Sequence, residues 1–222
     1  MARRSTTADR IAEAARRRFN ARGYAVTTLT EIAAEVGISQ GNLTYHYPTK
    51  RDLVTRIQQQ VAEQIAERRV AHHAGEVEDD YVRHLSLTIG LMATYRFLLR
   101  DDAQIEPGLD HQRPHGVLVD GFAALRRLLD RVERADLVRR DIEVDLEVLS
   151  RALWMLTRYW VDHVSEMELL DELDADDQLR GVANHLAALL PNLTAAGRRR
   201  FEAALDRATP TAAVVGAPDD TP

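Results

Sequence analysis

The stretch TTLTEIAAEVGISQGNLTYHY, Thr27 to Tyr47, decides the fold of this 222-residue chain. Thr28-Leu-Thr-Glu31 fits a capping box, in which the Thr28 hydroxyl and the Glu31 carboxylate each meet a free amide at a helix start. Leu29, Ile32, Ala33 and Val36 then follow the i, i+3, i+4, i+7 spacing of one helical face. Gly37 permits a tight turn, Ile38 can tuck into a small core, and Ser39 is a good N-cap for a second short helix. Two short helices around a glycine turn make a helix-turn-helix, whose second helix is sized for a DNA major groove.

That second helix, about Gln40 to Tyr45, exposes Gln40, Asn42, Thr44, Tyr45 and His46 behind Ser39. Neutral hydrogen-bonders and aromatics of this kind suit phosphate oxygens, base edges and thymine methyls. Gly41 allows close approach to another backbone. Thr49-Lys-Arg-Asp52 caps the next helix in the same way as Thr28-Glu31. Its free amides and Lys50, the single lysine of the chain, could grip a phosphate.

Upstream, a first helix is expected over Thr7–Arg22, with Ile11, Ala15 and Phe19 beside Ala8 and Ala12 as its apolar stripe. Gly23 follows its last turn, where a left-handed cap is usual. Arg16, Arg17 and Arg18 spread over its other faces, as a solvated surface or as phosphate contacts. Residues 1–56 hold ten Lys/Arg against five Asp/Glu, a net of +5. The formal net charge of the whole chain is −6, so the rest carries −11. A basic head on an acidic body suggests that the head alone meets a polyanion.

These features together resemble the N-terminal domain of the TetR family of bacterial transcriptional regulators. That family's segment after the turn typically reads Gly-x-Leu-Tyr-Tyr-His/Tyr-Phe-x-x-Lys-x-x-Leu, and Gly41, Leu43, Tyr45, His46, Lys50 and Leu53 stand at matching places. Thr44 replaces the usual first tyrosine, which changes a DNA-facing side chain, and Tyr47 replaces the usual phenylalanine. The resemblance covers about Thr7 to Leu53. It implies that Thr28, Ser39, Gln40, Asn42, Thr44, Tyr45, His46 and Lys50 face an operator, with Tyr47 in the core. Arg3 and Arg4 would reach a minor groove or the backbone, as basic arms do.

The body reads as all helix, with no alternating strand pattern and no Asn-Gly hairpin. Helices are expected over 51–74 (Leu53, Ile57, Val61 and Ile65, ended by Gly75), 79–100, 116–135, 144–165, 174–190 and 194–208. A Pro/Gly-broken segment, 101–115, has room for a short helix. The fold class is therefore all-α: a three-helix head over 1–50, a helical bundle over 51–208 and a disordered tail over 209–222. In the 144–165 helix, Leu149, Leu153, Leu156, Trp160 and Val164 share a face while Trp154 and Tyr159 point elsewhere. Such a helix needs a second apolar partner besides its own core. A two-fold homodimer through 144–165 and 174–190 would supply it, and would set two recognition helices one DNA turn or more apart on a palindrome.

The TetR resemblance further implies a small-molecule site in the body, whose occupancy weakens operator binding. Candidate lining residues are Tyr95, Phe97, Phe122, Trp154, Tyr159 and His163, with plain core packing as the alternative for each. The run TYRFLLRDDAQIEP, Thr94–Pro107, is similar to a segment carried by a subset of TetR-like regulators. The effector would be small and apolar or aromatic; no cofactor is expected. Asp110, His111 and His115 do not make a convincing metal site, because Pro114 interrupts helical spacing there. No Gly-rich phosphate loop, nucleophile elbow or His-Glu-x-x-His occurs, so enzymatic readings fare poorly. The absence of cysteine excludes disulfides and thiolate chemistry. No apolar run of membrane-spanning length and no signal peptide is visible, which makes the cytoplasm the expected location. The expected function is a sequence-specific repressor released from its operator by a small molecule. The alternative is an effector-independent architectural or protein-interaction DNA-binding protein on the same scaffold.

Overall fold

The computed structural model describes residues 6–70, 75–101, 104–105, 114–168 and 173–208, without the side chains of 67–70 and 114–119. Arg3, Arg4, the Asp110–His111 pair and the tail from Thr209 lie outside the described residues. The chain forms two compact units, one from residues 1–71 and 95–118, the other from 72–94 and 119–222. The first unit thus reaches past the 1–50 span read from the sequence.

The first unit holds α1 (Thr7–Arg22), α2 (Leu29–Val36), α3 (Gln40–His46), α4 (Lys50–Val70) and the short α6 (Phe97–Arg100). Three reciprocal capping boxes define its helix starts: Thr6 with Asp9, Thr28 with Glu31, and Thr49 with Asp52. Each satisfies amides that a helix start would otherwise leave unpaired. Gly37 adopts φ 74°, and the amides of Gly37 and Ile38 return to the Ala34 and Ala33 carbonyls, which stops α2. Ile11, Ala15 and Phe19 of α1, Ile32 of α2, Leu43 of α3 and Leu53, Val54 and Ile57 of α4 are buried together as the head's core. Tyr47 joins them at 9% exposure, its hydroxyl donating to the Ala8 carbonyl at 3.3 Å.

The second unit holds α5 (Val77–Thr94), most of α7 (Pro114–Arg134), α8 (Leu146–Met167), α9 (Ala175–Leu189) with a 3-10 turn over Leu190–Asn192, and α10 (Ala195–Arg207). Tyr81 of α5 is fully buried and stands edge-on to Phe201 of α10, with centroids 5.3 Å apart. At the rim of this core Arg200 of α10 holds Glu78 and Glu76, and Arg131 of α7 holds Asp80 at 2.8 Å. No strand occurs among the described residues, only a bridge between Val138 and Leu193.

Two expectations need correction. The single helix read over 79–100 is two: α5 ends at Thr94, and α6 begins at Phe97 after a turn at Tyr95–Arg96. The Asn20 side chain accepts the Phe97 amide at 3.1 Å, so a contact 77 residues away in sequence fixes the second start. In α8 the inward stripe is Leu146, Ser150, Leu153, Thr157, Trp160, Val161 and Val164, while Leu156 lies 46% exposed. The Ser150 and Thr157 hydroxyls bond to carbonyls of their own helix, at Glu147 and Leu153, so they can be buried where leucines were expected.

Candidate nucleic-acid interface

The surface of α3 is built from anchored and free positions. Leu43 roots it in the core, and the Ser39 hydroxyl caps it by accepting the Asn42 amide at 3.2 Å. Gln40 and Asn42 are exposed, and Tyr45 is 84% exposed, its ring edge-on to His46 at 5.5 Å. The Gln40 side-chain carbonyl accepts the Thr30 hydroxyl at 2.8 Å, which ties α3 to α2 and leaves the Gln40 amide nitrogen to face outward. The Thr44 hydroxyl donates to the Gln40 and Gly41 carbonyls, both at 3.1 Å, so its proton is committed within α3. The side of Gly41 is open: the nearest heavy atom to an added Cβ would be Ser39 Oγ at 4.0 Å. Thr28, exposed at the start of α2, completes this surface.

The arginine run of α1 is mostly engaged inside the head. Arg16 pairs with Glu13 at 2.6 Å, Arg17 with Glu35 at 2.8 Å, Arg18 also with Glu35, and Arg22 with Glu31 at 2.7 Å. Lys50 differs from the free phosphate hand expected of it. Its ammonium donates to the Tyr24 and Ala25 carbonyls at 2.8 and 3.1 Å and sits 4.5 Å over the Tyr24 ring. Partial burial lowers its pKa.

The residues missed by sequence reasoning lie in and beside α6. Arg96 donates to the Asn20 carbonyl at 3.3 and 3.0 Å, and Arg100 donates to Asn20 and Phe19 carbonyls at 2.9 and 2.7 Å. Both carbonyls belong to the last turn of α1, where the helix dipole favours a cation; the Phe19 carbonyl also accepts the Gly23 amide at 3.0 Å. Asp101 holds the Arg100 guanidinium at 2.8 and 3.0 Å and accepts the Tyr24 backbone amide at 2.8 Å. The Tyr-Arg-Phe…Arg-Asp run was visible, but nothing in the local sequence says that it caps a helix some 75 residues earlier.

The six expected pocket residues do not form one lining within a unit. Tyr95 and Phe97 belong to the first unit: the Tyr95 hydroxyl accepts from Gln64 at 2.6 Å, and Phe97 is fully buried 5.1 Å from Phe19. Phe97 fills the head's core, because the α5 helix ends before it and α6 turns it onto α1. Of the four in the second unit, Phe122 and Trp154 come together, half-buried, with centroids 6.1 Å apart. Tyr159 is 60% exposed beneath Arg158, and exposed His163 stacks on Trp160 at 6.0 Å. Both therefore lie on the outer side of α8.

A capped, glycine-turned helix pair with an exposed aromatic recognition face matches the family described as bacterial regulatory proteins, tetR family, over residues 11–57. A second TetR family description, bacterial transcriptional repressor, matches residues 56–201. The chain belongs to the TetR family. It is therefore a DNA-binding transcriptional regulator of a bacterial family whose members act as dimers and are typically not enzymes. The fold is shared with a TetR-family transcriptional regulator from Marinobacter aquaeolei VT8, at 22% identity and TM-score 0.65, covering 90% of this chain and 98% of that one. It is shared too with a gamma-butyrolactone receptor described as ArpA-like, at 22% identity and TM-score 0.67, covering 90% and 95%. The TetR family protein CprB from S. coelicolor A3(2) aligns at 23% identity and TM-score 0.63, covering 90% and 96%. None of the curated proteins compared matches the chain. Among the described residues of this TetR regulator no helix is long and apolar enough to cross a membrane.

Proposed function

We propose that this regulator binds a palindromic operator as a homodimer and acts as a repressor released by a small apolar or aromatic molecule. The observation that carries the operator reading is Tyr45, 84% exposed on a helix that is otherwise anchored and capped. A large aromatic side chain left in water beside exposed Gln40 and Asn42 suits a groove, where amides read adenine edges and rings meet sugar or thymine methyls. Thr28, Ser39, Thr44 and His46 complete the contact set, and Arg3 and Arg4 would add a basic arm. Selection from a random-sequence DNA pool tests this. Enrichment of an inverted repeat supports the reading; no enrichment sinks it.

Dimerisation is supported by an uncovered stripe on α8. Val148, Met155, Leu156, Tyr159 and Met167 are 46% exposed or more, and Ala152 and His163 continue the same side. On α9 the outward positions Ala183 and Ala187 are small, which suits close approach of a second helix pair.

Effector response is supported by the half-buried Phe122–Trp154 pair. A ligand that prefers the head arrangement unfit for DNA would lower operator occupancy by linkage. Since a structural neighbour is named a gamma-butyrolactone receptor, lactones belong in a ligand screen beside aromatics. A ligand that binds the native state must raise the melting temperature, by an amount set by its concentration over Kd. Of the four candidates in the second unit only Phe122 and Trp154 come together, which favours the second reading, an effector-independent regulator. Flat melting curves across the screen would select it.

A further inference from the structure

The α6 segment is distant in sequence from the helix-turn-helix, yet polar groups of Arg96, Phe97, Arg100 and Asp101 converge on one place: the end of α1 and the turn that follows. Arg96 and Arg100 hold the Phe19 and Asn20 carbonyls, Asn20 Oδ1 holds the Phe97 amide, and Asp101 holds the Tyr24 amide. Arg96 and Asp101 are 7% and 4% exposed, so these bonds are little diluted by water. On its other side the same turn is held by Lys50, through the Tyr24 and Ala25 carbonyls. Gly23, at φ 98°, lies within 3.8 Å of both Arg100 and Asp101 when given a Cβ, and its carbonyl accepts the Thr27 hydroxyl at 2.8 Å. The turn leads directly to Thr28, the cap of α2.

The geometry points to Arg100 and Asp101 as positioning residues for operator recognition. They touch no DNA. They fix the α1–α2 turn, and through it the start of α2 and the start of α4, which flank the recognition helix. Asp101 is the keystone: one carboxylate oxygen takes the turn amide and both take the guanidinium that caps α1. Without it the Tyr24 amide loses this acceptor and the Arg100 guanidinium loses its carboxylate partner. The α1–α2 turn can then shift relative to α3, and contacts that need simultaneous register across α2, α3 and α4 weaken.

This inference rests on the operator-binding reading. Its test uses the full-length protein and the duplex that the wild-type protein enriches from a random-sequence pool, with a scrambled duplex of equal length. For Asp101→Ala the operator affinity is expected to fall by about tenfold or more, while affinity for the scrambled duplex changes by less than about twofold. The slope of log affinity against log salt stays as in the wild type, because no phosphate contact is lost. Asp101→Asn keeps an acceptor for the Tyr24 amide and is expected to restore the operator affinity to within about threefold of wild type. A merely structural loss would lower both duplex affinities together by reducing the folded fraction. Equal losses on both duplexes, or an unchanged ratio, overturn the proposal. If Asp101→Ala does not fold, Arg100→Gln must show the same loss of operator-to-scrambled ratio, and an unchanged ratio there also overturns it. If the wild-type protein enriches no sequence, the operator reading itself fails and takes this proposal with it.

Discussion

The Tyr81 hydroxyl lies 2.8 Å from His185 Nε2, and both side chains are removed from water. On the far side of the ring Thr157 Oγ1 lies 2.8 Å from Nδ1. Thr157 donates its own proton to the Leu153 carbonyl at 3.1 Å, so it accepts from Nδ1–H, and Tyr81 donates to Nε2. One neutral tautomer thus links α5, α8 and α9.

Burial, aided by the charge of His84, pushes the His185 pKa from 6.5 down to about 3. Between those values the unfolded chain binds a proton that the folded chain refuses, so stability falls as the pH falls through this window. From pH 7 to pH 5 the expected loss from this group is about 2 kcal/mol. Denaturant melts at the two pH values measure it. In His185→Gln the part of the slope above pH 5 should flatten, and an unchanged slope would assign the pH dependence to other groups.

Gly181 lies under the Trp160 indole, which also donates to the Asp177 carbonyl at 3.1 Å. A Cβ at position 181 would stand 2.6 Å from the indole and 2.9 Å from Ile89. Gly181→Ala is expected to destabilise by about 1–3 kcal/mol despite its better helix propensity. A midpoint equal to or above that of wild type in urea unfolding would show that the indole can move aside.

Tyr45→Ala removes an exposed ring and no core contact. Operator affinity should fall by about 1–3 kcal/mol with the unfolding midpoint unchanged. A full-strength gel shift would remove Tyr45 from the contact set.

For Lys50→Gln the distinguishing quantity is the salt slope. The ammonium is already held by two carbonyls and a ring, so affinity should drop while the slope stays as in wild type. A slope reduced by about 0.9 would instead assign Lys50 to a phosphate.

The uncovered α8 stripe makes a separate prediction. Met155→Glu together with Tyr159→Glu places charges on two positions exposed in the single chain. Sedimentation should show a monomer with unchanged helix content, because neither position supports the chain's own core. A dimer that survives both changes would place the interface elsewhere.

Much of the head was legible in the sequence because its signals are local. Capping boxes at Thr28 and Thr49, the turn at Gly37 and the four-residue stripe of α1 depend on neighbours three or four residues away, and the chain repeats them in plain order. The order of the body helices followed from apolar periodicity for the same reason. The functional assignments at distance were not legible. Phe97 packs on Phe19, Arg100 caps α1, and Ser150 and Thr157 take inward positions on α8 beside a buried histidine. Whether an aromatic lines a pocket or fills a core, and whether a lysine meets a phosphate or a carbonyl, depends on what lies across the interface. Hydrophobic spacing tells which side of a helix is buried. Only the tertiary structure decides against what, because a carbonyl at the end of α1 and a guanidinium eighty residues later become partners only once both helices are in place.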